Sequence, residues 1–574
     1  MPIHNADIAA ALDQIADLLE LRNDNPFRIR AYRNAARTVG AFGQDIKSVV
    51  DRGGELPKLP GIGPDLTGKI HEITANGTCK LLEELRTEFP PAVTELLKLP
   101  GLGPKRVKAL YDRLKVQTLE ELRDAANAER IRGLPGFGAK TEEHILQVLG
   151  ARADGSRRFK LATAMQYAEP LVAYLAKCRG VQQVTIAGSY RRMRETIGDL
   201  DIVISASRDS PAMQTFCDYD EVREVVAHGE TRASVVLKAG LQVDLRLVPR
   251  ESYGAALHYF TGSKAHNIAV RRIAQSRGLK INEYGVFSGD ERIAGGTEAS
   301  VFESVGLPYI PPELREDRGE IEAARRGELP KLIALADLKG DLHLHTKASD
   351  GHHTLEEMAI AARGAGLEYI AVTEHSRRLA FARGLDPQRL SKQADEIDRL
   401  NAKLEGIAVL KGIEVDILED GTLDLPDSAL ERLDIVVGAV HGGFDLPRRR
   451  QTERILRALE NRYLTILAHP SGRLIGKREP YDIDMLAVIR RAKARGCALE
   501  LNANPERLDL NDVYCQMARD EGALLCIDSD AHSTQEFGNL GYGIGQGRRG
   551  WLEAKDVLNT RPLMELRKLL DAGR

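Results

Sequence analysis

The chain lacks the features that would place it outside a cell or in a membrane. Among its 574 residues the six cysteines, Cys79, Cys178, Cys217, Cys497, Cys515 and Cys526, are scattered, with no CxxC pair. That argues against a zinc ribbon or a disulfide framework and fits a reducing cytoplasm. No apolar run approaches the ~20 residues of a membrane span, and the opening MPIHNADIAAALDQIADLL carries acids where a signal peptide carries lysines. No membrane partner is expected. Net charge is also scarce, −3 with 29% charged residues. This balance does not exclude nucleic acid, because a basic DNA-facing half can cancel an acidic metal-binding half.

Length is plentiful: at ~100–200 residues per domain, several cores must form. The N-terminal region reads as short amphipathic helices punctuated by a repeated phrase: LPGIG at Leu59 to Gly63, LPGLG at Leu99 to Gly103 and LPGFG at Leu134 to Gly138. Glycines allow close backbone approach, and the helix that follows offers free N–H groups and a positive dipole end. This suits sequence-independent gripping of phosphates and resembles the helix-hairpin-helix motif. The candidate DNA contacts are Gly61, Gly63, Gly101, Gly103, Gly136, Gly138 and Lys105, with Arg106 and Lys140 beside them. A single Pro-Gly pair can equally be a helix breaker; the repetition and the cations favour DNA.

From Arg157 the texture changes to strands alternating with helices. VTIAGSYRR runs a strand into Gly188, Ser189 and then basic residues, as phosphate-binding turns do. GDLDIVI then sets Asp199 and Asp201 two apart on a strand, hence on one face. Asp244, in LQVDLRLV, lies inside another apolar strand, where a charge is costly unless it ligates or pairs. Three such carboxylates suit two Mg²⁺ ions about 3.5–4 Å apart. The ordered set of Gly-Ser turn, DxD and third aspartate is a nucleotidyltransferase signal.

Beyond Leu338, short β-rich runs alternate with helices, as in a β/α barrel. The candidate metal ligands are His343, His345, Asp350, His375, Glu414, His441, His469, Asp530 and His532. Most of them directly follow a β-like run, where a barrel builds its active site. A lone histidine is more often structural, but this regularity is not. Mixed His and carboxylate ligation suits Mn²⁺ or Zn²⁺.

The stretch YFTGS at Tyr259 to Ser263, followed by Asn267, Arg271 and INEYGVF, resembles the bacterial-type family X DNA polymerases over the first 310 or so residues. The C-terminal region, from about Asp337 to Arg574, resembles the PHP (polymerase and histidinol phosphatase) domain. These resemblances imply a multidomain fold. It would comprise an all-α helix-hairpin-helix region (1–85 and 86–150), an α+β nucleotidyltransferase palm (151–250), a nucleotide-binding, thumb-like subdomain (251–316), a charged linker (317–336) and a distorted seven-stranded barrel (337–574).

The family's metal ligands fall on Asp199, Asp201 and Asp244, with Asp244 nearest the primer 3′-hydroxyl. Gly188, Ser189, Arg192 and Gly198 fall at the triphosphate, Tyr259, Phe260 and Gly262 at the sugar, Asn267 at the base edge and Arg271 at the template side. Met193 departs from the pattern, standing where many members have glycine. Lys69 and Tyr32 occupy positions used by lyase-competent relatives, but Asp65 replaces a basic residue there, so Lys69 is expected to contact phosphate. The barrel resemblance implies up to three ions. One would be held by His343, His345, Glu414 and Asp530, another by Glu414, His441 and His469, and the third by Asp350, His375 and His532. His352 and His353 are expected to be loop residues, with either able to substitute for Asp350.

The implied activities are gap-filling synthesis from dNTPs on gapped or nicked DNA, and 3′-5′ exonuclease, with AP endonuclease and 3′-phosphatase activities alongside. A monomer in the bacterial cytoplasm, near the nucleoid, is expected. Two other readings remain. A small-molecule phosphatase fused to a non-templated nucleotidyltransferase would need neither hairpins nor YFTGS. A DNA-binding scaffold with vestigial sites would have lost carboxylates or ligands, and none is missing.

Overall fold

In the N-terminal region apolar residues recur three and four apart, so each helix buries one stripe. In helix Asn5–Leu21 that stripe includes Ile8, Leu12, Ile15 and Leu19, all fully buried. Helices Pro26–Gly40, Pro64–Asn76, Lys80–Glu88, Pro104–Ala109 and Leu119–Asn127 follow. Thr118 and Glu121 close a reciprocal capping box at the start of the last of these. One hydrophobic core joins residues from Ile3 to Leu149. The structure, a computed structural model, describes residues 3, 5–40, 46, 62–89, 93, 96, 97, 99, 102–134, 136–139, 141–143, 145, 146, 149, 158–207 and 209–572.

The palm is a five-stranded mixed sheet in the order Val181–Ile186, Asp199–Ala206, Gln242–Val248, Arg232–Leu237, Val222–His228. Helix Leu161–Ala176 packs on it through Ala164, Ala168, Leu171 and Leu175. Helices Tyr253–Thr261 and Lys264–Ser276 lead into a three-stranded antiparallel sheet, Leu279–Asn282, Gly285–Ser288 and Glu291–Ala294.

The segment expected as a linker is folded. It forms helix Glu320–Arg326, and Glu320, fully buried, pairs with His266 Nδ1 at 2.6 Å while accepting from the backbone N–H of Asp317 and Arg318. Its Ile321, Ala323 and Ala324 join a core that also takes in Trp551 from near the other end of the barrel domain. Composition suggested a tether because charges dominate there. The structure pairs Arg318 with Asp512, Glu320 with His266 and Arg326 with Glu328, and it buries the apolar residues between them.

Seven parallel strands make the C-terminal barrel in chain order: Gly340–Leu344, Tyr369–Val372, Ala408–Asp416, Ile435–Ala439, Ile466–Leu467, Ala498–Asn502 and Leu525–Asp528. A bridge from Leu344 to Ala531 nearly closes it. Buried on both faces, such strands read as continuous apolar runs rather than alternating ones. Among the described residues no helix is long and apolar enough to cross a membrane.

Candidate active sites

The palm site follows from strand register. Asp199 and Asp201 share a face of their strand, and the parallel neighbour is registered so that Asp244 lies directly opposite Asp201. Adjacent strands run ~4.8 Å apart, so three carboxylates converge. Burial, then Asp199 and Asp244, push the Asp201 carboxyl up to about 7. Asp244 accepts from the Ser234 hydroxyl and from the Gln242 amide, the latter at 3.0 Å. Clustered acids, here ranging from exposed Asp199 to buried Asp244, repel one another unless protons or cations sit among them, so this donor set fits divalent metal. Gly188, at φ 61°, allows the next turn to close over them: a Cβ there would stand 2.6 Å from Asp201 Oδ2.

Asp199 and Asp201 open into a cleft of about 660 Å³ that Gly188, Ser189, Arg192, Tyr259, Phe260, Gly262, Asn267 and Arg271 also line. Gly198 stands just behind, where a Cβ would come 3.3 Å from Arg158 Nη1. Arg158, Arg194 and Lys264 also line the cleft, a cationic supplement that sequence reasoning missed. Arg158 is carried there by the pairing of Phe159 with Ile197 and is held on Thr196 at 2.9 and 2.6 Å. The Tyr259 and Phe260 rings meet edge to face at 5.1 Å, and Arg246 lies over Phe260 at 5.0 Å. Asn267 donates Nδ2 to the Tyr259 carbonyl at 2.7 Å. Arg192 donates Nε to Glu316 at 3.0 Å and Nη1 to the Thr261 carbonyl.

The second cluster gathers at the C-terminal ends of the barrel strands. His343, His345 and Asp530 form one group of mutually close donor atoms, His345, Asp350, His375 and His532 a second, and His375, Glu414 and His441 a third. Glu414 lies 3.7 Å from His343 Nε2 and 3.8 Å from His345 Nε2, and its Oε1 is 3.2 Å from both His441 and His469. His352 and His353 stay out of these groups.

Burial, with His532 and His375 alongside, lowers His345 to about 3. Against the opposing effect of burial, Glu414 and Asp350 raise His375 to about 10. His343 Nε2 and both nitrogens of His345 are buried without a hydrogen bond, a cost that a ligated cation removes. The set therefore fits divalent metal. His469 at φ 29° and Asp530 at φ 53° hold left-handed backbone, strain of a kind that clusters at functional sites.

The strand that supplies no ligand has another task. Glu500, fully buried in Ala498–Asn502, accepts from His343 Nδ1 at 2.6 Å and from the His469 N–H at 2.6 Å. It orients the His343 imidazole, as outer-shell carboxylates do, and holds the His469 backbone in place. The signal was available, a lone glutamate in the apolar run CALELNA. Glu500→Gln is expected to weaken metal retention about 10- to 100-fold, read as metal content after dialysis; unchanged content would remove Glu500 from this role.

The chain is 40% identical over 576 residues, 99% of each chain, to the DNA polymerase/3′-5′ exonuclease PolX of Bacillus subtilis (strain 168). It belongs to the family X DNA polymerases that carry a PHP domain. Residues 3–79 match the helix-hairpin-helix domain and 93–151 the SAM-like helix-hairpin-helix tandem. Residues 256–316 match the DNA polymerase beta thumb and 341–503 the PHP domain. Shorter relatives match part of the chain. A probable phosphatase of Thermoanaerobacter sp. (strain X514) is 31% identical over 232 residues, 38% of this chain and 89% of its own. One from Caldanaerobacter subterraneus is 28% identical over 251 residues, 41% of this chain and 94% of its own.

For a family X polymerase, the N-terminal region places its hairpins openly. Gly63 and Gly103 precede helices that begin with Pro64 and Pro104, and a Cβ at Gly63, Gly103, Gly136 or Gly138 would meet nothing within 4 Å among the described residues. The described residues do not fill the space beside these glycines. Gly103 and Lys105 also line a cleft with Asp13, Asp17 and Glu20. Gly61, Gly101 and Lys140 lie outside the described residues.

Lys69 has a side chain only 15% exposed and is paired with Asp65. Burial works against its charge, but Asp65 and Tyr32 outweigh it and hold the ammonium above its usual range. A Schiff-base nucleophile needs the opposite shift. Borohydride treatment with DNA bearing a 5′-deoxyribose phosphate at neutral pH is therefore expected to trap no adduct; an adduct mapped to Lys69 would contradict this.

Proposed function

We propose that the chain is a DNA repair polymerase that adds dNMPs to a primer 3′-hydroxyl at short gaps, and that its barrel removes nucleotides in the 3′ to 5′ direction. The observation that carries the first half is the register of Asp201 against Asp244 at the mouth of a cationic cleft. Asp199, Asp201 and Asp244 would hold two Mg²⁺. The histidine cluster, grouped as the family implies, would hold up to three Mn²⁺ or Zn²⁺. When bound, these ions activate the attacking oxygen and offset charge on the leaving one.

The chain's own groups do the rest. Arg192, Arg158, Arg194 and Lys264 bring positive charge to the cleft that receives the triphosphate. Ser189 offers a hydroxyl at the same turn, and Gly188 lets that turn approach the carboxylates. The Tyr259–Phe260 pair provides an apolar wall for the sugar, and Asn267 braces the turn after it through the Tyr259 carbonyl. Arg271 would face the template. The hairpin turns hold the DNA backbone without reading sequence.

The likeness of part of the chain to probable phosphatases supports adding 3′-phosphatase and AP endonuclease chemistry at the barrel, all of it hydrolysis of phosphate esters at DNA ends or abasic sites. The expected setting is the bacterial cytoplasm, with the protein acting as a monomer.

The test is wild-type protein on a one-nucleotide-gapped DNA with Mn²⁺, watching a labelled primer on a gel. Lengthening with all four dNTPs and shortening without them are expected. A primer of unchanged length in both lanes overturns the reading.

A further inference from the structure

We infer that the barrel domain lends the polymerase site a positioning residue, Arg549, which fixes the triphosphate loop from behind. The inference rests on the polymerase reading above. Arg549 ends helix Leu540–Arg549 of the barrel domain and is 2% exposed. Its Nη1 donates to the Arg192 carbonyl at 2.7 Å and to Glu316 Oε1 at 2.9 Å, and its Nη2 donates to Asp512 at 2.6 Å. Glu316 Oε1 also accepts from Arg192 Nε at 3.0 Å. Arg549 therefore holds Arg192 twice, by its backbone directly and by its guanidinium through a shared carboxylate. Fork geometry makes arginine suited to bridging several acceptors at once.

Two neighbouring contacts fasten the same loop. Met193 holds a left-handed φ of 53°, a conformation glycine adopts freely and a side chain does not. Its side chain lies on Gly545 of that barrel helix, where an added Cβ would come 2.4 Å from Met193 Cε and 3.2 Å from its Cβ. Glu195 meets Arg473 of the barrel domain at 2.7 Å. The loop's inner side, with Arg192 and Arg194, lines the nucleotide cleft, while residues 192, 193 and 195 are pinned from the barrel side. The departure from glycine at position 193 thus has a physical partner. A flexible loop would pay an ordering cost each time a triphosphate binds; a pinned one has met it during folding.

The experiment measures single-nucleotide incorporation on gapped DNA by the full chain, alongside exonuclease rate and melting temperature. Arg549→Met is expected to raise the KM for dNTP about tenfold, the loss of charge-assisted hydrogen bonds, with kcat within about threefold. Exonuclease should be unchanged, and Arg549→Lys should recover part of the KM. Gly545→Ala, which displaces Met193, should also raise KM, and so should Met193→Gly, which removes the contact and frees the backbone.

An unchanged KM in both Arg549→Met and Gly545→Ala overturns the inference. So does a joint fall of both activities and melting temperature that lysine does not rescue, which would make Arg549 a structural fastener only. Wild type that incorporates nothing overturns the polymerase reading itself, and this inference with it.

Discussion

Replacing Asp199 and Asp201 together by alanine is expected to abolish primer extension, by about a thousandfold or more, while shortening of the same primer proceeds at the wild-type rate. The magnitude follows from losing metal-borne stabilisation worth several kcal/mol, at about 1.4 kcal/mol per tenfold in rate. The selectivity follows from the architecture, because these carboxylates sit in the palm sheet and no barrel ligand is among their partners. Fold damage should not confuse the result. Asp201 is half-buried beside two like charges that, after desolvation itself, push its carboxyl up to about 7, so its charge does not support the fold. In chelator the variant should melt no lower than wild type. Residual extension near the wild-type rate would show that the chemistry lies elsewhere, and loss of both activities would mean one shared site.

The mirror experiment should separate the two sites from the other side. His343→Ala with His345→Ala is expected to reduce shortening by a comparable factor and to leave extension in place. Both imidazoles are fully buried, and both lie within reach of Asp530 and Glu414. Removing them takes two donors from the group formed with Asp530 and leaves Glu500 with the His469 backbone N–H but without the His343 imidazole. Burial pushes the Glu500 carboxyl upward, so it can take up a proton rather than remain a buried charge without a cationic partner. Metal content should fall together with shortening. Shortening that survives with metal lost would assign the exonuclease to another part of the chain.

What could be read from the sequence, and what could not, divides along contact distance. Asp199 and Asp201 are two apart on one strand, so their shared face is a local fact. The barrel ligands, too, announce themselves one strand at a time. That Asp244 faces Asp201 is a matter of register between strands distant in the chain, and no local pattern encodes it. Arg158 reaches the cleft only because Phe159 pairs with Ile197. Glu500 was visible as a charge in an apolar run, but its use depends on His343 and His469 arriving from other strands. Met193 shows both sides of this limit: the sequence marks it as odd, and the reason, Gly545, lies near the opposite end of the chain.

The folded helix Glu320–Arg326 bears on how such a chain can be inherited. Two enzymes on a loose tether can be shuffled by recombination, since either half survives the cut. Here a break between the halves would strand Glu320 from His266 and part Ile321 and Ala324 from the core they share with Trp551. A gene for either half alone would need compensating changes on the face it exposed, so the two activities are expected to pass from lineage to lineage together.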